Sequence, residues 1–275
     1  MTTTLVPGGE KTWFGQPRGL TVLFLTNMWE QFSYYGMRAL LVYYMTLELL
    51  IEQGMSSYIY GTYTALAYFT PIFGGIIADR WLGKRRAVIL GGTIMALGHF
   101  LMAFEPMLYV ALGTIALGNG FFLPSLPSQI NDLYAADDPR RPWAYNIYYV
   151  GVNIGGFLAP LICGTLGEFY GWHYGFGLAT IGMILGLMIF IAPRVINMMT
   201  ISAGALTASG GLLVVSESGI FWYLNAFIAV AMVVAAGVAV AALSRGGLPD
   251  WAGRQTEEAR ALGKSAILPV YFCTA

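Results

Sequence analysis

The chain has 275 residues, 57% of them hydrophobic and only 10% charged, and its 14 Lys and Arg balance its 14 Asp and Glu. A mean hydropathy of +0.65 with so little charge excludes an ordinary soluble domain, where about 25% of residues are charged, and points to a multi-spanning membrane protein. Zero net charge offers no basic surface for nucleic acid, and Cys163 and Cys273 both sit in apolar sequence, which argues against a disulfide framework or a metal site.

Residues 1–18 are polar and Gly/Pro-containing with no apolar core, so they read as a cytoplasmic segment rather than a cleaved leader. Apolar runs of about 18 residues or more then predict helix 1 at about 19–47, helix 2 at 57–78, helix 3 at 86–104, helix 4 at 107–130, helix 5 at 143–164 and helix 6 at 175–193. A weaker Gly/Ser/Thr-rich helix at 196–215 and a strong one at 220–243 follow. The predicted organisation is a six-helix bundle at 19–194, a hairpin at 195–244, and a cytoplasmic linker with the start of a further helix at 245–275. The closing run SAILPVYFCTA rises only about 16 Å as a helix, half a bilayer core. The expectation is therefore the front half of a longer protein.

The basic residues give an independent test of this layout. With the N-terminus inside, every Lys and Arg except Arg38 falls on the cytoplasmic side, and the outer connections near Glu48, Glu105, Glu168 and Glu217 hold none. Such a bias supports eight spans with both ends cytoplasmic.

Helix 1 contains TVLFLTNMWEQFSYYGMRALLVYYMT, with Asn27, Glu30, Gln31, Tyr34, Tyr35 and Arg38 at membrane depth. A charge there costs several kcal/mol unless it faces a partner or a wet cavity, so helix 1 must line something. Arg38 reads either as a partner for a solute carboxylate or the opposing half, or as an anchor snorkelling to the outer surface. His99, alone in helix 3, reads more readily as an interior residue than as a proton relay. The prolines of LPSLPSQ (123–129) free carbonyls that Ser125, Ser128 and Gln129 either satisfy or leave in order to face a solute.

Between helices 2 and 3, GGIIADRWLGKRR (74–86) resembles the major facilitator signature. The resemblance implies a conformational gate made by Gly75, Asp79, Arg80, Gly83 and Arg85, with Asp79 pairing with an arginine or capping a helix. The alternative is a basic topology anchor.

The run NMWEQFSYYGMR (27–38) is similar to the helix 1 motif of the proton-dependent oligopeptide transporters, Glu-x-x-Glu-Arg-Phe-x-Tyr-Tyr-Gly-x-Arg. IYYVGVNIGGFLAP (147–160) and GWHYGFG (171–177) resemble that family's helix 5 and helix 6 signatures. The resemblance spans about 18–193, and the last two helices fit the hairpin of bacterial members. It implies an all-α membrane protein, the N-terminal six-helix bundle of the major facilitator fold plus two helices, in the inner membrane. The implied activity is not enzymatic: proton-coupled uptake of di- and tripeptides by alternating access, driven by the proton gradient and needing no cofactor. Protons, a peptide and the bilayer are its implied partners, together with a second half beyond this chain. Tyr34, Tyr35, Arg38, Tyr68 and Asn153 are implied as one wall of the peptide site, with Gln31 and Ser125 added as candidates, and Glu30 as the proton carrier.

Three positions depart from the family pattern. Asn27 replaces the first glutamate, Gln31 the arginine, and Leu123 the helix 4 lysine. Losing a buried Glu and Lys together is far cheaper than losing either alone, so Asn27 and Leu123 read as a joint deletion. Glu30 stays without its adjacent cation, and burial without a cation penalises the charged form of a carboxylic acid. The competing reading makes Glu30 a permanently neutral group hydrogen-bonded to helix 4 or 5. Two other functions remain open: a carrier of a different small solute, and a half that does not transport.

Overall fold

The computed structural model describes residues 15–135, 137–192, 194–215, 220–244 and 247–255. The amino-terminal segment up to 14, Cys273 and the closing apolar run lie outside the described residues. All eight predicted helices are present: α1 (Gly19–Tyr43), α2 (Gln53–Ile77), α3 (Lys84–Leu101), α4 (Leu108–Ser128), α5 (Arg141–Tyr170), α6 (Trp172–Ile191), α7 (Arg194–Val215) and α8 (Ile220–Leu243). Helices α1 and α2 each run on through one π-helical segment, Tyr44–Glu48 and Ala78–Leu82.

The largest departure from the predicted bounds is α5, which continues to Tyr170 where the apolar run suggested an end near 164. The reason is packing. Its buried residues form a narrow stripe of small side chains, Ala144, Gly151, Gly155, Ala159, Cys163 and Gly167, which lets α1 approach closely along its whole length. Gly171, at φ +115°, then ends the helix.

Among the described residues, three segments are long and apolar enough, by length and composition, to cross a membrane: Glu105–Leu133, Arg141–Tyr170 and Trp172–Ile191. The 25-residue α1 is long enough, but its central polar residues lower its hydropathy. Its place at membrane depth therefore depends on the helices around it rather than on its own apolarity.

Helix α1 packs on α5 and α6, and α4 packs on α2 and α3, while α3 against α6 joins the two groups into one bundle. Helices α7 and α8 pack mainly on each other and touch the bundle lightly at α6 and α1. The core falls into two clusters. One gathers Met37, Leu41, Tyr44, Tyr63, Ile115 and Phe176, the other Leu20, Leu23, Val88, Met95, Phe122 and Phe190. Along α1, buried Asn27, Glu30 and Gln31 sit between the residues of these two clusters.

Candidate functional site

Two polar groups form on α1. Glu30 is 2% exposed, and Gln31 beside it donates Nε2–H to Glu30 Oε2 at 2.7 Å. Asn27 Nδ2 reaches the Tyr148 carbonyl of α5 at 3.4 Å. Gln31 is covered because α5 lies so close here: a Cβ on Gly155 would overlap the Met28 carbonyl and stand 3.1 Å from Gln31 Cβ. The competing reading of Glu30 as a neutral group held by helix 4 or 5 has no such bond to rest on among the described residues, where the donor to Glu30 is its own neighbour Gln31. A neutral amide stands where the family motif has a cation, and it solvates the carboxyl group without forming an ion pair.

Two turns further along, Arg38 is held by phenols. Its Nε donates to Tyr60 Oη at 2.8 Å, Nη2 donates to the same oxygen, and Nη1 donates to Tyr34 Oη at 3.2 Å. The guanidinium carbon also lies 5.1 Å from the ring centres of Tyr34 and Tyr60 and 6.0 Å from that of Tyr35, within cation–π range. These contacts tie the Arg38 side chain to α1 and α2. Tyr60, from α2, is the residue the sequence reading missed. Its only sequence signal is its place two turns before Tyr68 on one helix face.

Tyr68 is 64% exposed and within electrostatic reach of Tyr34 and Arg38. Asn153 is also exposed, and its amide donates to the Tyr149 carbonyl of its own helix at 2.8 Å. The α1–α5 seam is built by Gly151 and Gly155 instead. Ser125 is buried, and its carbonyl accepts from Ser128 Oγ at 3.0 Å and Gln129 Nε2 at 3.1 Å. Ser128 and Gln129 thus serve the end of α4 rather than an open face. His99 is buried, with neither ring nitrogen hydrogen-bonded among the described residues. No group of metal-ligating side chains occurs among the described residues.

At the α2–α3 turn the expectations divide. Gly83, at φ +79°, is required as glycine. At Gly75 a Cβ would make ordinary contacts with Pro124, whereas at Gly74 it would overlap the Gly120 carbonyl, so Gly74 is where α2 and α4 need glycine. Asp79 is exposed, and the ion pairs among the described residues are Lys84–Asp132 and Arg140–Asp138. An Asp79–arginine pair, one of the two roles expected of Asp79 beside helix capping, is not among them. Arg80 is 7% exposed, and Arg85 donates Nη1–H to the Pro249 carbonyl at 3.2 Å.

Residues 85–208 match the sequence profile of the POT family. The chain is 46% identical over 191 residues to a di-/tripeptide transporter of Lactococcus lactis subsp. lactis, covering 66% of this chain and 38% of that protein. It is 35% identical over 259 residues to the peptide transporter YePEPT of Yersinia enterocolitica, covering 90% of this chain and 50% of that protein. A crystal structure of a mutant peptide transporter POT in complex with alafosfalin superposes with a TM-score of 0.65 at 40% identity, over 74% of this chain and 47% of the other. The chain spans half the length or less of these relatives.

Proposed function

We propose, from the premise that this chain belongs to the POT family, that it supplies one wall of a proton-coupled di- and tripeptide carrier of the inner membrane. A buried carboxyl group with no cation beside it is costly to ionise, so it holds its proton until water or a cation reaches it. A guanidinium solvated by phenols keeps a fork of donors for a peptide carboxylate. The observation that carries this reading is the pairing of these two groups on one helix, Glu30 with Gln31 and Arg38 with Tyr34 and Tyr60. Transport needs an opposing wall, and solute would bind between two such halves near the membrane midplane.

The test is uptake of a labelled dipeptide into proteoliposomes under an inward proton gradient. The 275-residue chain is compared with the same chain extended by a second six-helix half. Gradient-dependent uptake by the extended chain supports the reading, and its absence contradicts it. Leu123, standing where the family has a lysine, favours a second reading: a carrier whose solute lacks a free carboxylate. Equal competition by dipeptides and amidated dipeptides would select it.

A further inference from the structure

Residues 247–255, after α8, build into the end of the bundle that holds the α2–α3 turn. Helix α3 begins after Gly83, a glycine that has no side chain to cap the helix, so the first N–H groups need partners from elsewhere. The Arg85 N–H donates to the Gly253 carbonyl at 2.9 Å. Gly253 N–H in turn donates to Asp132 Oδ2 at 3.0 Å, while Asp132 Oδ1 accepts from Lys84 Nζ at 3.0 Å. Arg85 Nη1 donates to the Pro249 carbonyl at 3.2 Å, and Gln255 Nε2 donates to the Arg80 carbonyl. Ala252 is fully buried in the same core cluster as Leu20, Val88 and Leu133, and Leu248 packs against that cluster.

The geometry also selects residue types. Gly253 has φ +74°, and a Cβ there would lie 2.5 Å from Gln129 Oε1 and 3.0 Å from the Arg85 nitrogen. Both its conformation and its space exclude a side chain.

We infer that residues 247–255 form a strap that clamps the α2–α3 turn to the end of α4, with Gly253 and Asp132 as positioning residues. The α7–α8 hairpin touches the bundle lightly elsewhere, so the strap is its main mechanical connection to that turn. Any movement of the hairpin's exit is transmitted to the start of α3, and any change of partner by the turn requires the strap to let go.

Limited trypsin digestion of the full 275-residue chain in detergent tests this without relying on transport. Cleavage at Arg85, Arg86 and Arg254 reads the strap, and cleavage at Arg140, in the α4–α5 connection, serves as the internal reference. In Gly253→Ala the three strap sites should be cut about tenfold faster or more, because cleavage follows the population of the opened form, with Arg140 unchanged. Asp132→Asn keeps an oxygen acceptor for Gly253 but loses the Lys84 ion pair, and should give a smaller rise at the same sites. Unchanged cleavage at the strap sites in Gly253→Ala would overturn the inference. So would an equal rise at Arg140, which would make the effect global.

Discussion

The polar middle of α1 and the end of the bundle that holds the α2–α3 turn solve the same problem in opposite ways. In the middle, Glu30 and Arg38 are hydrogen-bonded by neutral groups, an amide and phenols. At the end, charges meet charges: Lys84 with Asp132 and Arg140 with Asp138. Buried ion pairs return little once both charges have been desolvated, and removing one member strands the other. Neutral solvation leaves Glu30 without a charge partner and the Arg38 charge uncancelled, as the proposed transport role requires. Ion pairs near water cost less to form and serve to hold the chain in place.

The sharpest way to break this contrast is at Arg38. Arg38→Ala should reduce dipeptide uptake by roughly a hundredfold, the scale of truncating a hydrogen-bonded charge that binds a partner charge, measured in proteoliposomes of the extended chain. Arg38→Lys keeps the charge but not the fork, and should recover only part of it.

Next is Gln31. Gln31→Leu leaves the buried Glu30 group without its donor and should cost about 1–3 kcal/mol of stability, read as a lowered unfolding temperature in detergent. The double variant Glu30→Leu/Gln31→Leu should recover most of that loss. If the single variant unfolds like the parent, the amide does not solvate the carboxyl group.

Much of this architecture is legible in the chain. Eight apolar runs correspond to the eight helices, and Glu30 and Arg38 are marked in the sequence because they interrupt the first. Their partners carry no such mark. Tyr60 is one of many tyrosines, and nothing local marks it as the acceptor for Arg38. The strap is a short polar stretch with no period to read, and its contacts with Arg85 and Asp132 are made across the fold. The continuation of α5 to Tyr170 rests on Gly167 packing against Leu40, a tertiary contact that outweighs the low helix propensity of glycine.

Smaller effects are expected at the ion-paired end. Lys84 and Asp132 are both about a quarter exposed, and such pairs contribute roughly 0–1 kcal/mol. Asp132→Asn should therefore shift the unfolding temperature little while loosening the strap locally. A large drop would make the end as dependent on its charges as the middle.

The smallest effect is at the α4–α5 connection. Hydrogen bonds from the Arg140 side chain hold the Asp138 carboxyl below its usual range, with Arg140 Nη2 at 2.7 Å from Oδ2. A lowered value means the contribution is present above the ordinary carboxylate range and is lost as pH falls through the lowered one. The stability difference between the parent and Asp138→Asn should thus be small and constant near neutral pH and vanish in acid. A difference that grows in acid would contradict this assignment.

The most direct measurement is substrate-driven proton uptake by Glu30→Gln in proteoliposomes of the extended chain, beside exchange of labelled dipeptide across the membrane with no gradient. If Glu30 carries the proton, the variant keeps exchange and loses proton uptake. Proton uptake equal to the parent's would remove Glu30 from that role.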